Sequence, residues 1–176
     1  MSKPSCVEAL PTLSRGTIRL REVCIEDAPA LTELFAIAEV SAFLSPPPAT
    51  IAEFVTWIEL SRSRRLDDKA ACYTVFNGSD QPVGLFMCVR GLPTEDSAEI
   101  GFALAPHLWG TGMFCETADL YVKFLFEHWN LPTLTGRTLA RNHRGLGAMR
   151  KLGATIVDQT EREGEAEFVW QIKRPE

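Results

Sequence analysis

The chain has 176 residues, enough for one domain with a real core, and its 45% hydrophobic and 23% charged content is ordinary for a soluble globular protein. A net charge of −5 argues against nucleic-acid binding, which needs a basic face. Cys6, Cys24, Cys72, Cys88 and Cys115 show no C-x-x-C spacing and no histidine beside them, so they suggest neither a disulfide framework nor a metal site. They read as mostly buried thiols in a reducing compartment. Glu8 and Pro11 interrupt the only apolar candidate near the N-terminus, which reads as neither signal peptide nor membrane span, and a cytoplasmic location is the expectation.

Residues 1–16, with Pro4, Pro11 and small polar residues, read as a loose N-terminal arm, and residues 17–176 as a single domain. Thr17 to Arg21 alternates, with Ile18 and Leu20 on one face, and is the first expected strand. Glu26 and Asp27 start a helix that carries Leu31, Leu34, Phe35 and Ala38 at helical spacing. Ser45 and the Pro46–Pro48 run break it. A second helix follows with Ile51, Phe54, Val55 and Ile58 on its inner face. The Arg62, Arg64 and Arg65 group near its end reads as solvated.

Ala71–Phe76 and Val83–Val89 form a hairpin through the Asn77–Asp80 turn. Gly91–Asp96 is a second turn. A strand ends at Pro106, Met113–Trp129 is a long helix, and Thr133–Ala140 is the next strand. Asn142 caps a short helix that Gly153 ends, and strands at about Thr155–Gln159 and Glu167–Lys173 close the chain. The order implies a mixed α/β (α+β) fold. Its twisted, mostly antiparallel sheet has about seven strands, with four helices. The fourth and fifth strands flank a crossover helix and should be parallel neighbours.

The stretch Ala98–Phe114 (A-E-I-G-F-A-L-A-P-H-L-W-G-T-G-M-F) runs from strand through Gly110 and Gly112 into the long helix. That order makes an anion cradle, because amides at a helix start point at the ligand and the helix dipole favours negative charge there. Two glycines alone also make an ordinary turn.

Together with R-N-H-R-G-L-G-A-M-R-K-L-G-A at 141–154, the chain resembles the GNAT superfamily of acyl-CoA-dependent N-acyltransferases, and most of all the branch of ribosomal-protein N-terminal acetyltransferases. The resemblance spans nearly the whole domain and rests on A-E-I-G-F-A-L, W-G-T-G, Asn142 and K-L-G-A. It implies acetyl-CoA as co-substrate, no metal, an amine acceptor and a homodimer as one assembly open to the fold. It implies that strands four and five are splayed, with the pantetheine arm along backbone groups of Phe102, Ala103, Leu104 and Ala105. The pyrophosphate would sit on the amides of Gly110, Thr111, Gly112, Met113 and Phe114. Asn142 would act at the thioester end. Arg144 and Arg150, with His107 and Lys151, are available to meet phosphate charge, and Trp109 either walls the cofactor or is core.

The chain departs from the family pattern at two positions. Many members carry serine where Gly145 stands and a general-acid tyrosine where Met149 stands, and neither Tyr73 nor Tyr121 aligns with that tyrosine. One consequence is an enzyme without an assigned general acid. The other is a non-catalytic acyl-CoA-binding or sensor module. A third reading, a nucleotide-binding domain, lacks a Walker-type lysine. Deprotonating an α-amine at pH 7 costs roughly 1.4 kcal/mol and a lysine roughly 4.6, so weak acid–base equipment favours low-pKa amines. Glu99 is the candidate base, acting through water. Glu116 reads as a helix-dipole partner and Cys115 as a buried thiol. Phe43, Pro46–Pro48, Trp57, Phe86 and Trp170 are candidate walls of the acceptor site.

Overall fold

The computed structural model describes residues 9–91, 94 and 96–175; Pro4, Cys6, Glu8 and part of the expected 91–96 turn lie outside the described residues. Eight strands form one sheet: β1 (Leu13–Arg15), β2 (Ile18–Glu22), β3 (Ala70–Asn77), β4 (Pro82–Arg90), β5 (Ser97–Leu104), β6 (Thr133–Leu139), β7 (Thr155–Arg162) and β8 (Glu165–Lys173). Their order is β1-β2-β3-β4-β5-β6-β8-β7. Five helices accompany them: α1 (Ala28–Ala36), α2 (Ala38–Ser41), α3 (Ile51–Leu66), α4 (Met113–Trp129) and α5 (His143–Lys151).

The expected mixed sheet is present with one strand and one helix more than the patterns implied. The loose-arm reading fails at Leu13–Arg15, which pairs with β2 as Leu13↔Leu20 through Arg15↔Ile18. Gly16, at φ +56°, turns the chain back with Thr17. Arg15 then reaches Asp119 of α4 at 2.7 Å, and the Leu10 amide donates to Glu22 at 3.0 Å. The single helix expected from Glu26 to Ala38 is two, because Ile37 is extended (ψ 116°) and interrupts it.

Local chemistry starts the helices. Thr50 and Glu53 close a capping box at α3, each side chain taking the other's amide (3.2 and 3.3 Å). Asn142 caps α5 and Gly153, at φ +69°, follows its end. Side-chain alternation along β4 and β5 sorts the layers. Phe86 and Phe102 stack on each other and meet Phe114 of α4 at a tilt, and Ile100 faces Met149 of α5 across Gly136. Leu85, Met87, Glu99 and Ala103 face the other way, toward Phe35 of α1 and Trp57 of α3.

The relationship between β5 and β6 determines the site. They are the sheet's one parallel pair, and they stay together only for Ser97↔Thr133, Ala98↔Leu134 and Glu99↔Thr135. Beyond Glu99, β5 follows β4 to Leu104 and β6 follows β8 to Leu139. The two strands therefore open into a fork.

Candidate active site

One edge of the fork is β5. The Ala105 amide donates to Val83 of β4 at 2.8 Å, so alternation turns the backbone of Ala103 to β4 as well. The N–H groups of Phe102 and Leu104, beyond the last pairing with β6, face the gap instead. Of the four backbone positions expected from sequence, Phe102 and Leu104 face the gap, whereas Ala103 and Ala105 do not. Sequence alone could not separate the two sets, because which amide faces the gap depends on the partner strand.

Past the fork the chain enters the glycine turn. Gly110 and Gly112 sit at φ +77° and +89°, and Gly112 is the N-cap of α4 with no side-chain cap. A Cβ at either would meet nothing within 4 Å, so the backbone angle is what demands glycine here. The amides of Gly110, Gly112 and Phe114 have no acceptor among the described residues. The Thr111 and Met113 amides, also expected in the cradle, are instead bonded within the turn, to the Leu108 carbonyl and to Thr111 Oγ1 (both 3.4 Å), which leaves those of Gly110, Gly112 and Phe114. This row of amides at the start of a 17-residue helix is a ready anion site.

A groove of about 320 Å³ joins fork and turn, lined among others by Phe102, Leu104, Trp109, Gly110, Phe114 and Asn142. Trp109 is a half-buried wall. Its indole N–H donates to Leu104 at 2.9 Å, and the Arg144 guanidinium lies 3.4 Å from its ring centroid. His143, Arg144 and Lys151 line the groove, but Arg150 does not, and His107 is exposed outside it. On α5, the residue one position after Arg150 is the one that faces inward.

Asn142 has two jobs available. Its Oδ1 accepts the Gly145 amide at 2.9 Å, which caps α5 and leaves the Nδ2 donor over for the groove. A Cβ on Gly145 would lie 2.5 Å from that Nδ2, so the glycine gives the asparagine its place. Met149 is 1% exposed and packs against Gly136 and Ile100, as core. Tyr73 and Tyr121 are buried and donate to the carbonyls of Pro11 (3.0 Å) and Ala71 (2.7 Å); burial pushes both phenols well up.

On the other side of the fork lies a second cavity of about 500 Å³. It meets the groove at Phe43, Leu44, Phe102 and Ala103, which line both. Phe43, Pro46–Pro48 and Trp57 line it as expected. Phe86 and Trp170, 1% and 2% exposed, do not; they are core on the opposite layer and beneath β6.

Glu99 stands at the floor of this cavity, and three charged residues that sequence reasoning did not single out stand with it. Arg137 Nε donates to Glu99 Oε2 at 3.0 Å, Arg137 Nη1 is 3.5 Å from Glu167 Oε2, and Arg162 Nε is 3.3 Å from Glu167 Oε1. The row crosses four neighbouring strands, β5-β6-β8-β7. The hydrogen bond to Glu99 raises the Arg137 pKa above its ordinary value, against desolvation. The available signal was charge on otherwise apolar strands, at Arg137 in T-L-T-G-R-T-L and Glu167 in E-A-E-F-V-W.

Cys72 and Cys88 are buried, while Cys24 and Cys115 are half-buried, so the buried reading of Cys115 is only partly met; these four are free thiols. Glu116 is exposed in the first turn of α4. Among the described residues no cluster of His, Cys, Asp or Glu could hold a metal ion, and no helix is long and apolar enough to cross a membrane.

Comparison with known proteins agrees with this geometry. The uncharacterized N-acetyltransferase p20 of Bacillus licheniformis is 22% identical over 147 residues, covering 81% of this chain and 82% of the relative. Two solved structures share the fold at a TM-score of 0.82. One is the ribosomal-protein-S5-alanine acetyltransferase of Vibrio fischeri (11% identity; 93% and 96% of the two chains). The other is the ribosomal L7/L12 α-N-protein acetyltransferase RimL in complex with coenzyme A (15%; 93% and 98%). Residues 17–155 match the family model described as an acetyltransferase (GNAT) domain, and the chain belongs to that family of acetyltransferases.

Proposed function

We propose that the chain moves an acetyl group directly from acetyl-CoA to a primary amine, either a protein N-terminus or a small amine. The observation that carries this is the fork beyond Glu99 and Thr135, where the Phe102 and Leu104 stretch of β5 has no strand partner on the β6 side among the described residues. The residues fit the cofactor's chemistry. An amide-bearing arm suits the free edge of β5, and a diphosphate suits the amides of Gly110, Gly112 and Phe114. Arg144 and Lys151 add positive charge in an otherwise acidic chain.

Acetyl-CoA, when bound, supplies the acetyl group already activated as a thioester. The chain's own part is to hold and orient. The free amides of β5 give a hydrogen bond to a carbonyl lying in the fork, and Asn142 Nδ2 gives another from the α5 side. Glu99 keeps one oxygen on Arg137 and has the other for the acceptor's proton, directly or through one water. Neither tyrosine can act as a proton donor, since both are spent on backbone carbonyls. A thiol with a pKa near about 8.5 is a good leaving group near neutral pH without one. Such a site favours α-amines over lysines, and the likeness to RimL, named for an α-N-protein activity, supports an N-terminal acceptor.

Two measurements test this. Calorimetry should show acetyl-CoA binding, and mass spectrometry of a cell extract incubated with protein and acetyl-CoA should show amines that gain one acetyl group. Binding without release of free CoA over a broad amine panel would instead identify a non-catalytic module.

A further inference from the structure

The cavity on the Glu99 side of the fork has walls of one chemistry. Phe35, Trp57, Leu85, Met87 and the Pro46–Pro48 run surround it, and among the described residues its charged lining is the floor row Glu99–Arg137–Glu167–Arg162. Two carboxylates and two guanidiniums in alternation cancel, so the floor has no net charge to offer a charged group. Burying an ammonium or carboxylate against these walls would cost its hydration without a partner. An apolar group gains instead, in proportion to the area it removes from water.

The wall between Phe43 and Pro48 has no regular secondary structure of its own, yet it is held at several points. Arg162 Nη2 donates to the Phe43 carbonyl at 2.8 Å, Nη1 reaches Ser45 Oγ at 3.4 Å, and Nε is braced by Glu167. From the other side, Arg141, paired with Glu165, lies 5.0 Å from the Phe43 ring centroid. Arg162 thus ties a segment from the other end of the sequence, 119 residues away, across the mouth of the cavity.

We propose that the acceptor is an amine whose neighbouring group is bulky and apolar, seated between Trp57, Met87 and the Phe43–Pro48 wall, and that Arg162 is the positioning residue that keeps this wall in place. The inference rests on the acetyltransfer reading and deepens it. The group next to the amine enters the cavity while the amine itself stays at the fork beside Glu99. Arg162 touches no reacting atom and acts through Phe43 and Ser45.

The test compares initial rates with acetyl-CoA on L-phenylalaninamide, L-leucinamide, glycinamide and L-argininamide, which share one α-amine and differ in side chain. The first two should exceed the last two in kcat/KM by about tenfold or more. Trp57→Ala and Arg162→Ala should each shrink that ratio to within about threefold, mainly by raising KM for L-phenylalaninamide. A loss of folding alone would lower all four rates together and leave the ratio intact. Trp57→Ala carries the test if Arg162→Ala does not fold. Wild-type protein that fails to bind acetyl-CoA in calorimetry overturns the proposed function. Protein that binds it and acetylates glycinamide or L-argininamide at least as well, or that acetylates other amines of an extract but none of these four, overturns the apolar acceptor alone; binding with no acetylation of any amine overturns the proposed function as well.

Discussion

Arg137 donates its Nε–H to Glu99 at 3.0 Å, two residues beyond the last β6 position that pairs with β5. The ion pair therefore bridges the fork at its base. It keeps a carboxylate at the base of the fork, on the floor of the larger cavity. Glu99→Gln keeps the size and one acceptor oxygen but removes the base. It should lower kcat by about 10²-fold, in the range for loss of a general base, with the calorimetric affinity for acetyl-CoA retained. An unchanged kcat would take Glu99 out of the chemistry.

Gly112 tests the cofactor cradle. Its φ of +89° strains any other residue by about 1–3 kcal/mol, and an aspartate would put a carboxylate where a diphosphate is meant to sit. Gly112→Asp should lower the melting temperature by several degrees and abolish acetyl-CoA binding. Gly112→Ala should show the melting shift with binding only weakened. Binding by the aspartate variant at the wild-type level would remove this turn from the site.

The double use of Asn142 can be separated by two substitutions. Asn142→Asp retains an oxygen for the Gly145 amide, so the α5 cap and the melting temperature should hold, while the lost Nδ2 donor weakens acetyl-CoA binding or slows turnover. Asn142→Ala removes both, and should cost about 1 kcal/mol of stability as well. Gly145→Ala should resemble it, because the new methyl lies 2.5 Å from Nδ2 and pushes the asparagine off.

Stability should fall in alkali. Burial holds the Cys72 thiol at about 11, from an ordinary value of 9.0, and Cys88 is pushed up as well. Between pH 9 and 11 the unfolded chain releases these protons and the folded chain keeps them. The unfolded state then binds fewer protons, and unfolding free energy decreases as pH rises. Urea melts at pH 8, 9, 10 and 11 should show the midpoint dropping, and Cys72→Ala should flatten the drop. A midpoint that rises over that interval would contradict the assignment.

Much of this protein was legible as a string. The glycine turn into α4, the Asn142-to-Gly153 limits of α5 and the 77–80 hairpin turn depend on residues within a few positions of each other. So does the helix that follows the proline run, since caps and backbone preferences act locally. The motif spacing sufficed to point to the family. The arm was misread for the opposite reason. A three-residue strand is too short to show alternation, and β1 exists because β2 and Asp119, 104 residues from Arg15, give it partners.

The site divides in the same way. Glu99, Asn142, Gly110 and Gly112 were visible through local pattern and resemblance. Which β5 amides face the gap, that Lys151 rather than Arg150 faces the groove, and that Arg137, Glu167 and Arg162 line up beside Glu99 were not. Those facts follow from β8 lying between β6 and β7, and from where two parallel strands stop pairing. Periodicity assigns a residue to a face of its own element. Only the order and parting of the strands decides which faces meet.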